Sequence, residues 1–153
     1  GRARVVVLIE RREAIERLSD IARADGVDEL HVGLNDLAIS LGLPNRWATL
    51  AGDLMADAAA SVRAAGRPFG FGGIGRAFDT SLPIPSDLVY AEYARTGATR
   101  ALIARSFGIR HGCLAEDVHC ALDRLAEWRA APEEVLAAAH EELGIRVRTA
   151  VGW

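Results

Sequence analysis

Two apolar runs in this chain each end in an acid. "VVVLIE" closes on Glu10, and "ELHVGLND" reaches Asp36, 26 residues further on. Each acid sits where a strand pattern gives way to a helix pattern. Neighbouring parallel strands lie about 4.8 Å apart, so two such strands side by side would bring the carboxylates together. Two carboxylates that close do not both ionise cheaply: either one keeps a proton or a cation lies between them. Hard oxygen donors with room for water suit Mg²⁺ or Mn²⁺. The plainer alternative is that Glu10 caps the first helix and Asp36 caps the short "LAISLG" turn, since helix starts favour acids. Spacing alone leaves both readings open.

The elements that must position these acids follow from periodicity and punctuation. Arg4–Ile9 is a nearly continuous β-branched run, the pattern of a strand buried on both faces. "REAIERLSDIARADG" puts Ile15, Leu18 and Ile21 on one helical face and stops at Gly26. "ELHVG" (29–33) is a second strand. "NRWATLAGDLMADAAASVRAAG" (45–66) carries Leu50, Leu54, Ala58 and Val62 four apart and predicts one amphipathic helix. "RPFGFG" reads as a third strand, and "PSDLVYAEYARTG" as a helix with Ser86 as N-cap. "TRALIARSF" is a fourth strand. "AEDVHCALDRLAEWR" is a fourth helix with Val118, Leu122, Leu125 and Trp128 inward. Pro132 opens a last helix, "PEEVLAAAHEELG", and "IRVRTAVGW" predicts a short strand or an arm.

Four βα units in succession imply parallel strands with helices outside, with ligands at the carboxyl ends of the strands. Glu10, Asp36, Arg76 and Ser106 all fall at such ends. The chain has 153 residues, enough for one domain with a core, and a formal net charge of -3 with both signs scattered. No basic block or aromatic-plus-basic stripe points to nucleic acid. No apolar stretch approaches the roughly 20 residues of a membrane helix, and no signal-peptide pattern precedes the first strand. Cys113 and Cys120 have neither a CxxC nor a disulfide-framework spacing, so reduced thiols and a cytoplasmic location are expected. The chain starts at Gly1 and its only methionine is Met55, as if cut from something longer.

"VLIERREAIERLSDIARADGVDELHVGLNDLAISLG" resembles the second half of the HpcH/HpaI aldolase and citrate lyase family, within the phosphoenolpyruvate/pyruvate-binding barrels. The matching pieces are Ile9-Glu10, Gly26-Val27-Asp28 and Gly33 through Gly42, and "RAAGRPFGF" resembles the family's next helix-to-strand passage. The likeness is good over residues 5–75 and weak beyond. It implies that Glu10 and Asp36 are the ligands of Mg²⁺ or Mn²⁺, and that the amides of Gly33, Leu34 and Asn35 hold a substrate carboxylate. Leu34 replaces the family's proline, and Arg11-Arg12 replaces a threonine-containing turn. The resemblance further implies a substrate-gripping arginine and an acid/base histidine from a first barrel half that this chain lacks. Arg76 and His31 do not fall on those positions, although Arg76 is a further candidate substrate contact.

Other motifs carry less. "GFGGIG" (70–75) fits a dinucleotide fingerprint only if a helix opens at once, which Pro83 and Pro85 oppose. It reads better as a mobile glycine-rich loop at the mouth of the site, able to admit a phosphate or a CoA arm, or as a plain connector. "HGCLAEDVHC" (111–120) lacks zinc spacing, so Cys120 should be buried and His119 exposed. Ser106 lacks a nucleophile-elbow turn. Arg11 and Arg12 could pair with Glu13 and Glu16.

The expected fold is therefore α/β: four βα units over residues 1–131 as the C-terminal half of a (β/α)₈ barrel, with an extra helix and arm over 132–153. A full barrel takes about 250 residues. The expected function is a metal-dependent C–C lyase of aldolase type. It would act through a pyruvate-like enolate on a 2-oxo or hydroxy acid, or a CoA thioester. Catalysis would need the missing N-terminal half or another copy, because an isolated half exposes strand edges that invite association into a homo-oligomer. The competing reading is a non-catalytic half-barrel scaffold whose acids are only caps.

Overall fold

The computed structural model describes residues 2–104, 107 and 113–150. Four strands, β1 (Val6–Ile9), β2 (Glu29–Val32), β3 (Phe69–Ile74) and β4 (Arg100–Ile103), form one parallel sheet in the order β1-β2-β3-β4. Strand order therefore follows chain order, and helical segments make each crossover. Register pairs Ile9 with Val32, Val32 with Phe71, and Gly72 with Leu102. A bulge between Gly72 and Ile74 ends the regular pairing of β3.

Because side chains alternate along a strand, the sheet has two unlike faces. Ile9, Leu30, Val32, Phe69 and Phe71 are buried with the helical residues Leu18, Met55, Val62, Tyr90 and Tyr93. Each large apolar side chain so removed from water contributes roughly 1.5–3 kcal/mol. The other face carries Val6, Leu8, Glu29, His31, Gly70, Gly72, Arg100 and Leu102 by register. There the outer strands leave Val6, Leu8 and Leu102 46%, 50% and 46% exposed.

The first crossover is two short helices, α1 (Arg12–Glu16) and α2 (Leu18–Arg23). "LAISLG" belongs to a true helix, α3 (Leu34–Leu41), entered directly from Gly33. The stretch 45–66 is not one helix. A 3-10 turn, Arg46–Thr49, is followed by α4 (Leu54–Ala64), and poor helix formers Gly52 and Asp53 lie in the break. The break lets Trp47 and Leu50 both enter the core. "GFGGIG" is mostly β3 itself rather than a loop, and the next helix, α5 (Ser86–Thr96), starts only at Ser86. A helix opening directly after Gly75, as a dinucleotide fingerprint requires, is thus absent. Ser86 is not the N-cap. It lies inside α5, and its hydroxyl accepts the Asp79 amide at 3.0 Å.

α6 (Leu114–Arg129) turns Leu125 inward, but Leu122 is 57% exposed, contrary to the sequence pattern. Arg124 ties α6 to α5 through both oxygens of Asp87. The last helix, α7 (Glu133–Thr149), runs on through "IRVRT", so that segment is neither strand nor arm. Leu143 and Val147 are buried where α7 packs on α5 and the 3-10 turn, and Asn45 donates to the Val147 carbonyl at 3.5 Å. Buried Glu92 on α5 accepts two-pronged bonds from Arg95 and lies 2.8 Å from His140 Nδ1 on α7. No helix among the described residues is long and apolar enough to cross a membrane.

Candidate metal centre

β1 and β2 pair in register, and the Gly33 amide donates to the Ile9 carbonyl at 3.0 Å. This places Glu10, the next residue, beside Gly33, the N-cap of α3. The contact is close enough to exclude a side chain at position 33: an ideal Cβ there would lie 2.4 Å from Glu10 Oε1 and 2.7 Å from its Cγ. Asp36 stands in the first turn of the same helix. Both acids thus flank one helix start, where the macrodipole favours negative charge.

Neither acid acts as a hydrogen-bonded cap. Among the described residues, no N-cap side chain bonds the first-turn amides of α1 or α3, and the Arg12 amide at the start of α1 is taken by Ser40. Glu10 is half-buried and Asp36 exposed. No ion pair or hydrogen bond engages either side chain among the described residues. Two carboxylates with uncommitted oxygens suit a hard divalent ion that keeps waters in its shell. Among the described residues no cluster of three or more His, Cys, Asp or Glu could hold a metal, so a closed all-protein site is not what these residues build.

The loop expected to hold a substrate carboxylate is arranged differently from a simple three-amide cradle. The Gly33 amide is spent on Ile9. The amides of Leu34 and Asn35 are first-turn donors, which have no acceptor within a helix. Leu34 is itself 3% exposed and fills the core beside Trp47. Arg76 faces another place. It lines a cavity of about 320 Å³ with Asp79, Ser81, Asp117 and Cys120, whose lining includes neither Glu10 nor Asp36. Its Nε is buried without a partner among the described residues, and Asp79, whose carboxyl is held below its usual range mainly by Ser81, feels its charge.

A family described as HpcH/HpaI aldolase/citrate lyase matches residues 1–83, which is over half of the 153-residue chain. The chain belongs to the HpcH/HpaI aldolase/citrate lyase family. Both acids and the whole of α3 fall inside the matched region. A relative described as a 4-hydroxy-4-methyl-2-oxoglutarate aldolase, from Chaetomium globosum, is 38% identical over 71 residues. That stretch is 46% of this chain and 26% of the relative, so the chain spans about a quarter of the relative's length. No solved structure gives a significant match.

Several residues outside the HpcH/HpaI match or outside the motif depart from expectation. Cys120 is exposed rather than buried, as is Cys113. Arg12 does not pair along its helix: its amide donates to Ser40 Oγ at 2.9 Å and its guanidinium to the Leu41 carbonyl at 3.1 Å, tying α1 to α3. Ser106, His111 and the terminal residues 151–153 lie outside the described residues. Sequence reading also missed a buried polar pair, Glu29 and His31, on the strand that leads to the centre. The signal was there, two polar residues on one face of an apolar strand, but nothing in it says what they bond.

Proposed function

We propose that this chain is the C-terminal half of a (β/α)₈ barrel and contributes the metal centre of a divalent-metal-dependent C–C lyase of aldolase type. The observation that carries the reading is the Glu10 carboxylate seated over Gly33 at the start of α3, with Asp36 in the first turn of that helix. Family membership supports the reaction class, and the relative's printed name supports an oxo-acid or hydroxy-acid substrate. An acyl-CoA remains a variant of the same chemistry.

The sequential parallel order of the strands supports the barrel half, since consecutive βα units in a barrel pair in chain order. The half-exposed Val6, Leu8 and Leu102 support completion of the ring by an N-terminal half or by another copy.

Glu10 and Asp36 would hold Mg²⁺ or Mn²⁺, which supplies Lewis acidity to an enolate oxygen when bound. The amides of Leu34 and Asn35 would orient the substrate carboxylate at the positive end of α3. The β1–β2 pairing fixes Glu10, and burial of Leu34 fixes the turn that carries both amides.

Mn²⁺ titration of the folded chain, followed by electron paramagnetic resonance, tests the reading. Mn²⁺ should bind, oxalate should alter its spectrum, and Glu10→Ala and Asp36→Ala should each abolish binding while leaving the helical circular dichroism intact. A folded chain that takes up no Mn²⁺ refutes it.

A further inference from the structure

Glu29 and His31 alternate with Leu30 and Val32 on β2, so their side chains share a face with position 33, over which Glu10 lies. Both are buried, with side chains 9% and 4% exposed. His31 Nε2 lies 2.6 Å from Glu29 Oε1. The other Glu29 oxygen accepts Arg4 Nη2 at 3.0 Å and Arg100 Nε at 3.2 Å. Arg100 stands on β4 and must cross β3 to reach this carboxylate. Its register partner there is Gly70, which offers no side chain to block the way.

This arrangement fixes the chemistry of the ring. Two guanidinium groups keep Glu29 ionised, and a carboxylate only accepts, so His31 Nε2 carries the proton between them. A proton on Nδ1 would find no acceptor among the described residues. Nδ1 is then a bare lone pair. It is buried and has no hydrogen-bond partner among the described residues. An acceptor left in that state has given up its water without recovering a bond.

The neighbourhood supplies no donor from the sheet. The register partners of His31 are Leu8 on β1 and Gly70 on β3. The next residue of β3 on this face, Gly72, leaves open ground: a Cβ there would meet nothing nearer than the Val32 carbonyl at 3.8 Å. Alternate residues of a strand are about 6.5 Å apart, so His31 stands one such step from the Glu10 carboxylate over position 33. A short-chain acid held at the centre can bridge that span.

We propose that His31 Nδ1 accepts a hydrogen bond from the hydroxyl of a 4-hydroxy-2-oxo acid bound at the Glu10–Asp36 centre, with Glu29 as the residue that positions the ring. The proposal rests on the metal-centre reading and narrows its substrate class. A lone-pair nitrogen favours an acid that brings an O–H over one that lacks it.

Nitrogen-15 spectra of the histidine-labelled full chain, with Mg²⁺ present, test this. His31 should show a protonated Nε2 and an unprotonated Nδ1. Adding 4-hydroxy-2-oxoglutarate should move the Nδ1 resonance, and adding 2-oxoglutarate, which lacks the hydroxyl, should not. In Glu29→Gln, Arg4 and Arg100 should claim the amide oxygen, turn its NH₂ toward His31, and flip the ring to the Nδ1–H tautomer. His31→Gln should lower affinity for the hydroxy acid about tenfold, with Mn²⁺ affinity unchanged. An Nδ1–H tautomer in the parent chain overturns the proposal. So does an Nδ1 resonance unmoved by a hydroxy acid that demonstrably binds alongside Mn²⁺, and that result leaves the metal centre standing. Failure to bind Mn²⁺ removes both.

Discussion

The Glu10 carboxylate occupies the space that a side chain at position 33 would need, with Oε1 2.4 Å from the ideal Cβ position. The glycine is therefore a requirement of packing between β1 and the start of α3. Gly33→Ala should expel the Glu10 carboxylate and weaken Mn²⁺ binding about 10- to 100-fold, as loss of a ligand's support does elsewhere. Calorimetric titration of the variant against the parent checks this, and unchanged affinity would show that Glu10 does not bind from this position.

Glu29 makes the sheet acid-sensitive. Burial alone would raise its carboxyl, but the hydrogen bonds from His31 and Arg100 and the Arg100 charge outweigh that and hold it below its usual value of 4.5. A carboxyl lowered by folding contributes stability that is complete above its unfolded value and is lost as pH falls through the folded one. Urea midpoints should therefore drop below about pH 4.5 in the parent. They should fall less steeply in Glu29→Gln, which has no carboxyl there to protonate.

Two tyrosines on α5 make the protein alkali-sensitive. Burial, above all, pushes both the Tyr90 and Tyr93 phenols well above their usual value of 10.0. Tyr90 donates to the Gly75 carbonyl at 2.8 Å and Tyr93 to the Phe71 carbonyl, so both brace β3 in the neutral form. Their contribution is complete below pH 10 and declines as pH rises toward the folded values. Ultraviolet titration should show no tyrosinate until the chain unfolds, and early reversible ionisation of both rings would contradict the packing.

The α5–α7 contact depends on a fully buried carboxylate, Glu92, with Arg95 and His140 as partners. Arg95→Ala strands most of that charge and should cost about 3–5 kcal/mol, since a buried ion loses more by isolation than the pair gains. Glu92→Leu, which removes the charge itself, should cost less. Chemical denaturation of the two variants separates them, and the reverse ranking would mean that water reaches Glu92.

Local pattern alone determined the order of strands and helices, their parallel sense and the two acids at strand ends. Alternation, glycine stops and apolar spacing act over a few residues, and neighbouring residues carry them. The 45–66 helix failed because Trp47 and Leu50 gain more by both entering the core across a break at Gly52-Asp53 than a continuous helix would gain. "IRVRT" stayed helical because Leu143 and Val147 meet α5 and the 3-10 turn, surfaces far away in sequence. Only the tertiary structure seated Glu10 on Gly33, carried Arg100 across Gly70 to Glu29, and left one nitrogen of His31 buried without a donor among the described residues. Those relations join residues 23 to 71 positions apart. Their energies depend on which groups lose water together, a quantity set by the packed sheet and written in no single stretch of the chain.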